Sequence, residues 1–232
     1  MIIHPENWQA IGQPVSMTEL DNTLRTVLSE IDCDCLSYSG GLDSSLLLYY
    51  LLDMGRTVRT FTMTCDAKHP DMLYAKVAIR AFEEQFGVRI INRWSVVPDV
   101  YGDDLVRAFY AEIAQWTDSI ITGDGVDEFM CGYYAHQADP REEVYYTNLR
   151  LLQERHLAPL DENSGSTRVY LPYMDKRFIH LMAQIPLEAK VDLYSRKKVL
   201  VELARNKLSQ EIIERKKYGF GTQYVKAVGG AA

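Results

Sequence analysis

Seven consecutive residues, Ser39-Gly40-Gly41-Leu42-Asp43-Ser44-Ser45, are of the types needed to hold a polyphosphate. The glycines permit close backbone approach and positive φ. A strand is expected over 33–38 and an apolar helix over 44–54. The loop therefore runs into a helix start, with its open N–H groups and the positive end of its dipole. The serines add hydroxyl donors, and Asp43 can hold Mg2+ against the phosphate charge. Ser39, Gly40, Gly41, Asp43, Ser44 and Ser45 are thus candidate phosphate-binding residues. The run is not the Walker pattern, which needs Gly-Lys-Ser/Thr after four spacers. It is not the dinucleotide fingerprint either, because no third glycine follows at the right distance. A helix cap needs one such residue, not this ordered set.

A second loop, Thr122-Gly123-Asp124-Gly125-Val126-Asp127-Glu128, places three carboxylates within five residues. Such carboxylates repel one another unless a cation sits among them. Alone the segment reads equally as a solvated acidic turn. Beside the first loop, Asp43 and Asp127 can clamp one Mg2+ on a pyrophosphate.

These loops need elements to position them. Helices are expected over 17–31, with Thr18 as its cap, then 44–54, 71–86 and 103–115, and strands over 33–38, 58–64, 88–94 and 119–122. Strands alternating with helices imply a parallel sheet with right-handed crossovers. Ligands of such sheets bind beyond the carboxyl ends of the strands, where both glycine loops lie. After residue 130 the pattern turns helical, over 142–156, 175–185 and 195–207, with no strand expected between. Residues 161–167 read as a loop and a candidate mobile lid or substrate loop. The fold class expected is α/β, a parallel sheet with helices on both faces, followed by a mostly helical C-terminal half. Residues 1–232 form one domain, with a nucleotide-binding core over 33–130 and a helical substrate side over 131–222.

Composition narrows the functions. A net charge of −7 argues against a nucleic-acid partner. No apolar run reaches the length of a membrane span, and the N-terminus lacks a signal-peptide pattern. Cys33, Cys35, Cys65 and Cys131 do not have zinc spacing and read as buried thiols of a reducing, cytoplasmic setting. His4, His69, His136, His156 and His180 show no ligand spacing.

The first loop resembles the PP-loop of the ATP pyrophosphatase superfamily, which cleaves ATP between the α- and β-phosphates. The chain as a whole is similar to the synthetase domain of asparagine synthetases and beta-lactam synthetases. Those carry a Ser-Gly-Gly-Leu-Asp-Ser-Ser loop, then Gly-x-Gly-x-Asp with Phe-x-Gly-Gly-Tyr after it. Here the second block runs from Gly123 through Phe129-Met130-Cys131-Gly132-Tyr133. Leu171-Pro172-Tyr173-Met174-Asp175 resembles the family's Val-Pro-Phe-Leu-Asp, and Arg215-Lys216-Lys217-Tyr218-Gly219-Phe220 its Arg-x-Lys segment. The resemblance covers about residues 33–222. It implies an adenine nucleotide alpha-hydrolase-like fold, with ATP and Mg2+ as cofactors. It also implies an AMP-forming ligase that adenylates a carboxylate and transfers the acyl group to ammonia or an amine. Asp43 and Asp127 would hold Mg2+, and Lys217 would lie along the phosphates as a catalytic cation. Lys197 would be a weaker phosphate contact, or a solvated lysine on a helix face. The backbone near Leu36 and strand residues around Met63 would hold adenine. Asp124 stands where asparagine synthetases have Glu and would take the proton of the attacking amine, with Glu128 in support and Tyr133 and Tyr134 either in support or, as the more ordinary role, packing in the core or rim.

Two departures bear on the substrate. Only about 32 residues precede the first expected strand, so no glutaminase domain is expected within this chain and ammonia would come from solution or a separate glutaminase partner. Thr167-Arg168-Val169-Tyr170 replaces an acidic–Arg pair of the family, so the loop shaping the substrate pocket is altered. The expected partners are a small-molecule carboxylate and an amine, with a homo-oligomer left open. Two alternatives stay open: a PP-loop enzyme modifying tRNA or a nucleobase, and a non-catalytic nucleotide-binding subunit.

Overall fold

The computed structural model describes residues 14–216. Its elements run α1 (Met17–Ser29), β1 (Cys35–Ser37), α2 (Leu42–Asp53), β2 (Arg59–Thr64), α3 (Pro70–Phe86), β3 (Ile91–Val96), α4 (Gly102–Ile113) and β4 (Ser119–Ile121). They continue with α5 (Val126–Phe129), α6 (Tyr134–Ala138), α7 (Glu142–Leu152), α8 (Ala158–Asn163), β5 (Arg168–Tyr170), α9 (Lys176–Gln184), α10 (Leu187–Lys190), α11 (Lys198–Ala204) and α12 (Gln210–Glu214). The five strands form one sheet of order β3-β2-β1-β4-β5. Every pairing is parallel, with Leu36 opposite Thr60 on one side and Ile121 on the other.

Chain order decides what meets. From β1 the chain steps outward through β2 to β3, then returns to place β4 on the other side of β1. Right-handed crossovers put α4 on the face opposite α2 and α3. The direction reverses between β1 and β4, so the loops leaving these two strands open side by side at the topological switch point.

Local sequence explains most of the elements. Helix α2 buries Leu46, Leu47, Leu48 and Leu51 completely. It is apolar all round because it is covered on all sides rather than along one stripe. Helix α3 starts at Pro70 and ends at Gly87, whose φ of 64° is the left-handed stop that glycine favours. Helix α1 has its apolar stripe at Leu20, Leu24, Val27 and Leu28, but its cap is Ser16, whose hydroxyl accepts from Glu19 N–H at 3.1 Å, and not Thr18. Cys33, Cys35, Cys65 and Cys131 are free and buried. No helix among the described residues is long and apolar enough to cross a membrane.

Three expectations for the C-terminal half are corrected. First, a strand does follow residue 130. β5 pairs in register with β4, Ser119 opposite Arg168 and Ile121 opposite Tyr170. Three residues are too few to show a period-two pattern, so only the neighbouring strand reveals it. The Thr167–Tyr170 departure from the family pattern therefore lies mainly on a sheet strand, not in a pocket loop. Second, residues 161–167 are not a lid. Helix α7 passes through a π-turn at Gln153–Leu157 into α8, and Asn163, Ser164 and Thr167 are buried. The side-chain oxygen of Asn163 accepts from Arg107 Nε of α4 at 3.2 Å, closing the segment onto the core. Third, the helix expected over 195–207 starts only at Lys198. The Asp192 carboxylate accepts from the N–H groups of Tyr194 and Ser195, both at 2.8 Å, and holds a turn ahead of the helix.

Candidate active site

Both loops reach the same place. Gly40 has φ +67°, and a Cβ there would lie 2.5 Å from the Ala75 nitrogen, so only glycine lets the loop lie against α3. Within the loop, Gly41 N–H donates to Ser39 Oγ at 3.2 Å and Ser39 N–H to Ser44 Oγ at 3.3 Å. Helix α2 begins after Gly41 with no side-chain cap, so its first N–H groups stay open to an anion. Ser45 departs from expectation. Its side chain is fully buried and its hydroxyl pairs with Tyr38 Oη at 3.1 Å, so it supports the loop from the core side instead of facing phosphate. Leu36 and Met63 are likewise sealed in the core, so contact with adenine there would use backbone.

The second loop closes on the first. A Cβ on Gly123 would sit 3.3 Å from Asp43 Cβ, and Tyr173 Oη donates to the Asp43 carbonyl at 3.0 Å. Gly125, at φ +85°, lies where a Cβ would overlap Met174 Sδ, at 2.2 Å. The two carboxylates converge on one point, occupied by the ammonium of Lys197. Its Nζ lies 2.5 Å from each Asp43 oxygen and 2.6 Å from Asp127 Oδ1. Lys197 is therefore not a solvated lysine on a helix face. It is 6% exposed, with φ 52° at the N-cap of α11. Burial holds its ammonium below the ordinary lysine value, and the Asp43 charge offsets only part of that lowering. Gly132 makes room for this arrangement. A Cβ there would fall 1.7 Å from Asp127 Oδ1 and 2.4 Å from Lys197 Cε.

Around this centre lie the groups expected to move a proton. Asp124 is exposed, and its Oδ2 accepts from Thr122 Oγ1 at 2.5 Å. Glu128 is buried, 2% exposed, and accepts from Tyr133 Oη at 2.6 Å. His156 joins them, with Nε2 at 3.2 Å from Tyr133 Oη and 3.4 Å from Glu128 Oε1. Burial first, then the Glu128 charge, with smaller effects of Asp124 and Asp43, pushes the Tyr133 phenol far above its ordinary value. Tyr133 is thus a neutral donor next to the carboxylates, while Tyr134 is exposed and stacks under Arg196, 3.8 Å from ring to guanidinium. No spacing in the sequence joins His156 to Glu128, because the contact forms only when α7 packs on α5 and its continuing π-turn brings His156 alongside.

Arg215 is the other residue to which the sequence assigned no role of its own. Its side chain is 4% exposed, pairs with the Asp71 carboxylate and donates from Nη1 to the Ser39 carbonyl at 2.7 Å. The family-like Arg-x-Lys segment was the available signal. Lys217 lies outside the described residues.

A buried histidine nearby gives a measurable pH dependence. His136 is 1% exposed, and its Nδ1 accepts from Tyr133 N–H at 3.3 Å. Burial pushes its imidazole down from 6.5 to about 4, helped by the charges of Arg196 and Lys190. The unfolded chain therefore takes up a proton between pH 6.5 and 4 that the folded chain refuses. The contribution is full above pH 6.5 and is lost as pH falls through this window. Urea melts at pH 7 and pH 4.5 should show wild type losing about 2–3 kcal/mol more than His136→Gln over that step.

Residues 162–229 match the family model described as Asparagine synthase. No curated protein matches the chain. The structure of NMN synthetase from Francisella tularensis is similar to it, at 13% identity and a TM-score of 0.45, covering 93% of this chain and 76% of that one. Over residues 162–229 the chain is thus similar to asparagine synthases, and that segment belongs to a fold built on a five-stranded parallel sheet. The matched segment includes β5, Lys197 and Arg215, while the two glycine loops precede it.

Proposed function

We propose that this protein is an AMP-forming carboxylate–amine ligase. The observation that carries the reading is the convergence of Asp43 and Asp127 on one cation position, 2.5–2.6 Å from both, beside an uncapped helix start. That donor set fits a hard, oxygen-seeking divalent ion sharing its remaining positions with phosphates and water. Asp43 and Asp127 would hold Mg2+, which supplies neutralisation of charge on the departing pyrophosphate.

The protein's own groups account for the rest. The backbone of Ser39–Gly41, the Ser44 hydroxyl and the start of α2 bind the polyphosphate. A substrate carboxylate oxygen attacks the α-phosphorus of ATP, and the bond to the β-phosphate oxygen breaks. The acyl adenylate then loses AMP as the amine nitrogen attacks its carbonyl carbon, and the amine gives up a proton. Asp124, exposed to solvent, takes that proton, with the Glu128–Tyr133–His156 group close by. Lys217 supplies positive charge along the phosphates in both steps. The amine is ammonia or a small-molecule amine, and a glutaminase partner is one source of ammonia.

The test is ATP–pyrophosphate exchange across a library of carboxylic acids, followed by product analysis with ammonia and amines. Asp124→Asn should keep exchange within about threefold of wild type and lower amide formation about a hundredfold. Equal loss of both steps would remove Asp124 as the amine base. No exchange with any acid, and no AMP formed, would refute the ligase reading.

A further inference from the structure

We infer that Lys197 determines the form in which metal enters the site: its ammonium holds the point a divalent ion would take, so the ion is admitted with a nucleotide and not alone. This rests on the ATP reading above. The lysine is seated, not passing through. It is buried, it leaves a left-handed backbone position ahead of α11, and its Cε fills the space left by the missing Cβ of Gly132. Arg196 pins the adjoining segment by donating to the Gly132 carbonyl at 2.5 Å.

The ligand count points the same way. Mg2+ and Mn2+ seek about six oxygen ligands. Among the described residues no group of three or more His, Cys, Asp and Glu side chains is placed to hold a metal. A free ion would gain two carboxylates, lose water, and leave an ammonium without its partners in a buried place, which is costly. A nucleotide changes both sides of the exchange. Its phosphates supply the missing oxygens and offer the displaced ammonium a new anion, close to where it started.

Mn2+ is the probe, followed by the loss of its free paramagnetic signal and by the thermal midpoint of the protein. Wild type should take up no Mn2+ alone at concentrations up to about 1 mM. Lys197→Met should bind Mn2+ alone at least about tenfold more tightly, and its midpoint should rise with Mn2+ as that of wild type does not. Asp127→Asn in the Lys197→Met background should abolish the gain. Wild type with a nucleotide bridged by methylene between its α- and β-phosphates should take up Mn2+ beyond what the same nucleotide binds without protein, and its midpoint should rise further than with the nucleotide alone. Binding of Mn2+ alone to wild type as tight as to Lys197→Met overturns the inference and leaves the ligase reading standing. If Lys197→Met does not fold, wild type decides: uptake of Mn2+ alone at or below about 1 mM overturns the inference. Failure of wild type to take up Mn2+ even with the nucleotide overturns both.

Discussion

Asp43→Asn is expected to lower ATP–pyrophosphate exchange by about a thousandfold or more while the protein stays folded. Asn keeps the size of the side chain and removes its charge. Asp43 stands in the first turn of α2, and its carbonyl remains fixed by Tyr173 whatever the side chain. The change therefore acts on the cation position and not on the loop path. Loss of a negative charge from the start of a helix costs only about 0.3–1 kcal/mol. Lys197 still has Asp127 at 2.6 Å, so its burial stays compensated. Circular dichroism and a melting curve should thus resemble wild type while exchange disappears. A variant that retained a tenth of wild-type exchange would show that Asp43 does not hold the ion on the nucleotide.

Arg215→Ala is expected to destabilise the protein by about 3–5 kcal/mol, the cost of leaving a buried partner charge uncompensated. The side chains of Arg215 and Asp71 are only 4% and 5% exposed, so solvent screens the pair little. The same guanidinium donates to the Ser39 carbonyl and lies over the Tyr74 ring at 4.6 Å, tying the chain after α12 to the glycine loop and to α3. Exchange activity should fall further than the folded fraction does, because the loop loses a brace. Arg215→Lys should recover little of either, since an ammonium cannot bridge two acceptors with a planar fork. Urea melts read the first effect, and exchange at a temperature where the variant is fully folded reads the second. An Arg215→Ala protein as stable as wild type would mean the pair is not buried in solution.

Much of the N-terminal half is legible in the sequence because its signals are local. A strand, a glycine loop and an apolar helix follow one another within about twenty residues, and each is encoded by its own neighbours. Gly87 ends α3 and Pro70 starts it for reasons internal to the helix. The pairing of Asp43 with Asp127 is also foreseeable, because parallel strands with right-handed crossovers leave few ways to order β1 and β4. Ser45 is less legible. It belongs to the loop by sequence, but the helical turn carries its hydroxyl into the core, toward Tyr38.

What the sequence by itself determined is the alternation of strands and helices, the two glycine loops and the acidic character of their meeting place. Tertiary packing alone decided which cation sits there, that Arg215 is a brace rather than a surface charge, that residues 168–170 add a fifth strand, and that residues 161–167 are closed instead of mobile. The physical reason is sequence separation. Periodicity and turn chemistry act over a few residues, whereas Lys197 lies 154 positions from Asp43 and Arg215 lies 176 from Ser39. Whether a lysine is solvated or buried between carboxylates depends on where distant chain segments come to rest, and no local pattern encodes that.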